Sequence, residues 1–477
     1  MKKPIITSVA LASLVAASFL TLHQLSASDK STSSLTPPEY PAECDTIDLP
    51  AGFHFPKLTS ELPYDLGSLK TDPNARSKTP AQCEIFEVQK MFDLFSWQAF
   101  VGLNWPADDK GNPLPGKIGS SPTSLRVWET YLSPSQIFKD KGATPDKWGT
   151  PEGARGLQAN SKHTHILDEV DEAFFNLETP MPPITDLNNA YVRYEIRINQ
   201  EEYNYLAQNK LYSSKGQAEF IENKKTVSFP SGTLNPTPAY GAMELKVAWK
   251  KMGPGDDSSK FHTITPIVEQ PFAPGKKPIT GDVYGLVGFH IMVRIESAPQ
   301  WVWATFEHIN NGPVVDLREG VPTKVTAKGN YNFWNDQGER SFGGFDPDVY
   351  QKLSTMESAP NYYEPIKMRS PSQITRVITE NNAVSESKWT KNLNKVMQEK
   401  LEGTVWENYR LISTQWSSDP KGPGAGNPAP VSLGNPVMET YMQVNGSCMG
   451  CHAGATFGGK DKKSLDANFS FMLQRAK

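Results

Sequence analysis

Met243-Glu244-Leu245-Lys246-Val247-Ala248-Trp249-Lys250 is the stretch that decides the architecture. Met243, Leu245, Val247 and Trp249 alternate with Glu244, Lys246 and Lys250. A period of two sends one row of side chains into a core and the other toward water, the pattern of a strand buried on one face. Outward from it, 191–198 alternates in the same way, and 283–295 and 301–308 read as two further strands. Ser297-Ala298-Pro299-Gln300 between them is a four-residue hairpin connection. Such a loop sets Glu307 opposite His290, whereas three or five residues would set His308 there. The stretch 405–416 reads as another strand. The expected fold class is therefore α+β: a central antiparallel sheet, sandwich-like or layered, with flanking helices.

Helical periods flank these strands. In 84–101 the apolar Ile85, Val88, Phe92, Phe95 and Ala99 recur at helical spacing and stop before Asn104-Trp105-Pro106. Asn199 with Glu201 and Glu202 forms a capped helix start running through Leu211. Ser385 is placed to cap a helix carrying Trp389, Leu393, Val396, Met397 and Leu401, which Gly403 would stop. Asn435 and Pro436 suit the N-cap and first position of a helix through Met442, and 466–475 closes the sequence as another. The organisation read from this is a leader at 1–27, a Ser/Thr/Pro-rich flexible stretch at 28–43 and a helical and loop region at 44–190. A β-rich region at 191–416, a Pro/Gly-rich linker at 417–429 and a C-terminal segment at 430–477 follow. The 477 residues allow two or three domains or one large β-rich one. A formal net charge of −4 has none of the basic surplus of a nucleic-acid binder.

Chemistry enters at Cys448-Met449-Gly450-Cys451-His452. This is C-x-x-C-H, the spacing of covalent haem attachment. Two cysteines three apart share a helix face, where both thiols can add to the vinyl groups of one porphyrin edge, and the next histidine can turn to the iron. Gly446, Gly450, Ala453, Gly454 and Ala455 are small enough for a flat macrocycle to lie against the backbone. Zinc would need about four ligands, and no second paired motif supplies them. A thioredoxin-like dithiol belongs after the first strand of a small α/β domain, not here. A segment of about fifty residues is too small to enclose a macrocycle alone, so the upstream region must help to bury it.

The other end is consistent with this. Lys2 and Lys3, an apolar run at 5–22 and Leu25-Ser26-Ala27 form an export signal with a cleavage site, or else a retained anchor. Export places the protein in the periplasm or outside the cell, where c-type haem is attached. In that oxidising compartment the two remaining cysteines, Cys44 and Cys83, pair as a disulfide.

The distal side of the iron has several candidates. Met472 sits on a face with Leu465, Phe469 and Leu473, where it either ligates or packs, and Met438 and Met442 are weaker alternatives. His290 and His308 could line an open distal pocket, and His163 and His165 could bind a metal. Lys460, Lys462 and Lys463 make a basic turn suited to an acidic redox partner.

The stretch 435–455, in which Met438-Glu439-Thr440-Tyr441 leads into Ser447-Cys448-Met449-Gly450-Cys451-His452, resembles a group of exported bacterial cytochrome c family proteins. Phe469-Ser470-Phe471, 97–106, 288–310 and 406–416 extend the resemblance over most of the chain. It implies one haem c and electron transfer through Cys448, Cys451 and His452, with an unidentified redox partner protein. It does not extend to the dihaem peroxidases, which carry two attachment motifs. The expected function is that of a monohaem c-type cytochrome. The alternatives are a haem enzyme of oxidase, oxygenase or peroxidase type with an open distal site, and a gas-binding sensor.

Overall fold

The 243–250 row forms an interior strand, second from one edge, of a seven-stranded antiparallel sheet. The structure is a computed structural model that describes residues 43–66, 83–121, 123–152, 166–167, 184–268, 277–318, 331–335, 371–418, 427–458 and 465–477. All of these lie within the unit Tyr40–Lys477. The leader, the flexible stretch before residue 43, most of the linker, His163, His165, Lys460, Lys462 and Lys463 fall outside the described residues.

Six α-helices are described: α1 (Glu84–Leu103), α2 (Pro134–Ile137), α3 (Gln200–Gln208), α4 (Ser214–Glu222), α5 (Lys388–Lys400) and α6 (Cys448–His452). The main sheet holds β1 (Arg193–Ile198), β2 (Met243–Lys251), β3 (Thr263–Ile264), β4 (Tyr284–Ile295), β5 (Ala298–His308), β6 (Tyr409–Ser417) and β7 (Pro428–Ala429). Its order is β7-β6-β5-β4-β2-β1, with β3 pairing β4. The fold class is α+β, as the alternation and the helical periods require. Helices and coil cover the sheet, which is the layered form of that class.

One face is the large apolar core. Leu245, Val247, Trp249, Phe289, Ile291, Val302, Ala304 and Phe306 pack beneath α1 and α5. Phe100 of α1 stacks on Phe306 at 4.2 Å and meets Trp406 edge-on at 5.7 Å. Asn394 of α5 ties the layers together, accepting from Trp97 Nε1 at 3.1 Å and donating to the Leu411 carbonyl at 2.9 Å.

The second face is not wet, contrary to the expectation from Glu244, Lys246 and Lys250. Glu244 and Lys250 are buried and Lys246 is half-buried. The α3 and α4 helices and residues of 432–458 and 465–477 cover that face, and the buried charge is offset locally: Lys250 Nζ lies 2.6 Å from Asp256 Oδ1. The covering chain runs close to the sheet at Gly288, where a Cβ would lie 2.8 Å from Val437 Cγ2.

The hairpin is tighter than its sequence predicts. Ile295 pairs with Ala298, leaving Glu296 and Ser297 as the turn, and the register shifts between Val293 and Ile295. His290 consequently faces Thr305 on one side and Lys246 on the other, while Glu307 faces Gly288. Neither expected pairing occurs, because the irregularity consumes residues that were assigned to the loop. The α3 helix begins as expected, with the Asn199 side chain accepting from Glu202 N at 3.2 Å. The α5 helix is capped by Ser387 and not by Ser385, its Oγ accepting from Thr390 N at 3.0 Å. Residues 405–408 form a 3₁₀ turn before β6 begins.

The expected helix at 435–442 is reduced to a 3₁₀ turn, Thr440–Met442. The Asn435 amide is committed to the sheet, donating to Thr305 Oγ1 and the Phe306 carbonyl, both at 2.9 Å. The expected 466–475 helix shrinks to a 3₁₀ turn at Phe471–Arg475, because Asn468 and Phe469 take left-handed φ values of 52° and 70°. The Cys44–Cys83 disulfide is present and packs on Phe86 at the start of α1. Among the described residues, no helix is long and apolar enough to cross a membrane.

Candidate functional site

The α6 helix consists of the motif alone. Ser447 caps it, its Oγ accepting from Gly450 N at 3.1 Å. At about 100° per residue, positions 448, 451 and 452 fall on one face and position 449 departs from it. The structure follows that wheel: Met449 is fully buried in the core beneath the helix, whereas Cys448, Cys451 and His452 are half-buried. Both cysteines are free thiols. Burial pushes the Cys448 thiol well up, with the Glu439 carboxylate adding to the effect, and burial also raises Cys451. Both shifts favour the neutral thiol over the thiolate that disulfide exchange requires.

The helix is fixed to the sheet by Gln415 of β6. The fully buried amide accepts from Met449 N at 2.8 Å and Ser447 Oγ at 3.2 Å, and donates to the Pro430 carbonyl at 2.8 Å.

His452 Nδ1 lies 2.7 Å from the Phe469 carbonyl oxygen. A carbonyl can only accept, so Nδ1 carries the proton and Nε2 keeps its lone pair. Burial lowers the His452 pKa to about 4, which keeps the ring neutral near pH 7 and suited to ligation. Phe469 presents that carbonyl from the left-handed conformation, a cost of about 1–3 kcal/mol that the surroundings hold in place. Trp301 Nε1 donates to the Asn468 carbonyl at 2.8 Å, and Arg294 Nη1 donates to Asn468 Oδ1 at 2.7 Å, which pins this loop to β4 and β5. The rings of Trp303 and Phe471 flank His452, with centroids at 6.0 and 5.1 Å.

This donor set fits a covalently attached haem. Two free thiols and one imidazole share a helix face, and the imidazole is held in the tautomer that offers Nε2 to a metal. Among the described residues, no group of three or more His, Cys, Asp or Glu side chains could hold a bare metal ion.

Three ionisable groups gather at the same place: His290 from β4, Lys246 from β2 and Glu439 from the covering chain. Glu439 Oε2 lies 3.4 Å from His290 Nε2 and accepts from Asn435 N at 2.9 Å. Burial alone would raise the Glu439 pKa, but His290 and Lys246 outweigh it and hold the carboxyl below its usual range.

His308 is elsewhere. It lies on the opposite face, stacked on Phe261 at 4.1 Å with Nε2 3.1 Å from the Lys260 carbonyl, and burial lowers its pKa to about 3. Met472 is buried among Met449, Ala455, Phe457, Ala467 and Leu473. It lies three residues beyond the carbonyl that holds Nδ1, in the segment facing the Nδ1 side of the His452 ring. Met438 belongs to a separate apolar cluster with Val437, Ala248 and Val287, and Met442 is half-buried. The motif itself was visible in the sequence. Gln415, Glu439, Lys246 and the Phe469 carbonyl were not, since they are brought to it from other strands and loops. No protein family matches this chain, no curated protein is similar to it, and no solved structure matches it.

Proposed function

We propose that the protein is an exported monohaem c-type cytochrome whose work is one-electron transfer. The observation that carries the reading is the union of C-x-x-C-H with the 2.7 Å contact from His452 Nδ1 to the Phe469 carbonyl. A metal-binding histidine ordinarily donates its second ring N–H to a fixed acceptor, and this acceptor is a strained carbonyl anchored to the sheet. In this reading Cys448 and Cys451 are the thioether anchors and His452 is the proximal ligand. Bound haem supplies a metal that changes oxidation state by one electron.

The chain's own residues do the rest. Gln415 and Met449 hold α6 rigid on the sheet, so that the ligand moves little between oxidation states. Trp303 and Phe471 flank the imidazole with aromatic rings, and the Phe469 ring backs Trp303 edge-on. Phe471 is 39 % exposed, which sets an aromatic edge between the proximal ligand and the surface where a redox partner protein would dock. The Cys44–Cys83 disulfide suits an oxidising compartment such as the periplasm.

The test is the mass and visible spectrum of the purified exported protein. A mass above the bare polypeptide by one haem, lost in a Cys448→Ala/Cys451→Ala variant, supports the reading. A mass equal to the polypeptide alone refutes it.

A further inference from the structure

We propose that Glu202 and Glu244 form a proton site coupled to the haem iron: the buried pair takes up a proton when the iron is reduced and releases it when the iron passes its electron to the redox partner. The inference rests on haem attachment at Cys448 and Cys451.

The two carboxyls come from different elements and meet in the interior. Glu202 is on the first turn of α3 and Glu244 is on β2. Asn199 Oδ1 accepts from Glu202 N at 3.2 Å and from Met243 N at 3.0 Å, which draws the two backbones together. Glu202 is 0 % exposed and Glu244 9 %. Among the described residues, no amide, hydroxyl or cationic donor reaches either Glu202 oxygen or Glu244 Oε1. Two anionic carboxylates side by side out of water are strongly disfavoured, so the pair is satisfied by a proton between them. Burial pushes Glu202 well up and Glu244 adds to the effect, while Ser470 bonds Glu244 and favours its ionised form; Glu202 therefore donates to Glu244.

Arg475 of the C-terminal turn is the charged group that acts on the pair, and it also favours ionised Glu244. On the sheet the register partners of Glu244 are the apolar Ile198 and Met292. The α4 helix meets the C-terminal turn through the uncharged Gln217, and Arg294 of β4 is committed to Asn468 and Ser231. Lys246, the next residue on that face of β2, acts on Glu439.

Two routes connect the pair to His452. Along the sheet, Glu244 pairs with Met292 and Met292 with Trp303, so two strand spacings, about 10 Å, separate the Glu244 backbone from that of the tryptophan whose ring flanks the ligand. Along the chain, Ser470 follows Phe469, whose carbonyl holds His452 Nδ1. The coupling acts through the electric field. A unit charge at about 15 Å, in a medium of effective dielectric about 20, changes a proton affinity about sixfold. Oxidation leaves one more positive charge on the haem, which favours the doubly ionised pair. Ferrous haem and the protonated pair thus become ferric haem and two carboxylates, with the electron going to the partner protein and the proton to water. The midpoint potential therefore falls as pH rises between the pair's pKa values in the ferric and ferrous states, and is flat on either side.

The experiment is redox potentiometry of the haem-loaded protein across pH, with redox-difference infrared spectroscopy. The wild type should show a falling potential over a window about 0.8 pH unit wide, the sixfold change in affinity, and a carboxylic-acid C=O band that appears on reduction. The Glu202→Gln/Glu244→Gln variant should lose both. Ser470→Ala, which removes a hydrogen bond that favours ionised Glu244, should move the window to higher pH. A wild-type potential independent of pH overturns the inference while leaving the cytochrome reading intact. A window and band that persist in the double variant do the same, since the haem propionates would then be the titrating groups. If the double variant fails to accumulate, the Ser470→Ala profile decides, and an unmoved window overturns the inference. Absence of covalent haem overturns both readings.

Discussion

Replacing Gln415 by alanine should loosen the motif from the sheet. Gln415 is fully buried, and its amide serves the Met449 N–H at 2.8 Å, the Ser447 hydroxyl at 3.2 Å and the Pro430 carbonyl at 2.8 Å. The half-buried serine hydroxyl can turn to water. The half-buried Pro430 carbonyl can do the same, but the Met449 amide cannot do so easily, because it lies buried beneath α6. A buried polar group left without a partner costs about 1–3 kcal/mol, so the substitution should cost about 1–3 kcal/mol. Most of that loss should be local, since the bonds lost all run between β6 and the covering chain. Urea unfolding followed by far-ultraviolet circular dichroism would give the global part. Amide hydrogen exchange at 447–453 would give the local part, as a loss of protection of at least tenfold. A variant within about 1 kcal/mol of wild type, with unchanged exchange at those amides, would refute the claim that Gln415 anchors the motif.

Removing the Cys44–Cys83 disulfide by double alanine substitution should lower stability by about 4 kcal/mol on the chain-entropy estimate, for a sequence separation of 39. An unchanged urea midpoint would contradict it. Tyr194→Phe deletes the 2.8 Å bond from the Tyr194 hydroxyl to the Val437 carbonyl and should cost about 1–2 kcal/mol in the same assay, with no shift meaning that the contact is idle. Asp93 is buried beside Gln89, Thr414 and Trp389, and desolvation outweighs those hydrogen bonds to raise its pKa from 3.8 to about 7. The folded state therefore holds a proton that the unfolded chain releases, and stability from this group is lost as pH rises from about 4 to about 7, by up to about 1.4 kcal/mol per pH unit. His308 opposes it, because its lowered pKa costs stability as pH falls below about 6.5. The readout is thus the difference between wild type and Asp93→Asn at pH 4.5 and pH 7: the variant should gain relative stability at the higher pH, and parallel profiles would count against the assignment.

Much of the sheet was legible because burial on at least one face forces a period of two. The row Met243, Leu245, Val247, Trp249 points into the large core as read. The opposite row misled for a physical reason. Glu244 and Lys250 look solvated in one dimension and become tolerable in the interior through partners the fold brings to them, Asp256 from the turn just after the strand for Lys250 and Ser470 from the distant C-terminal segment for Glu244. The α4 helix had no counterpart in the sequence reading; Ser213 is its cap, with Oγ accepting from Gly216 N. Ser297-Ala298-Pro299-Gln300 carries strong turn chemistry, yet Ala298 onward is strand. Tertiary pairing overrode local preference there, and it carried His290 to its present neighbours. The motif could be read directly because its three residues are consecutive on one helical turn. Its supports could not, since the Phe469 carbonyl and the Gln415 amide are 17 and 34 residues away from the groups they hold.

The central claim is that a porphyrin is bonded through Cys448 and Cys451 with His452 on its iron. Intact-protein mass spectrometry of the exported protein, paired with a haem stain on a denaturing gel, tests it most directly. The account predicts one added haem mass that survives denaturation and a stained band that disappears in Cys448→Ala/Cys451→Ala. An unstained band at the mass of the bare polypeptide, from cells that load other c-type cytochromes, would contradict it.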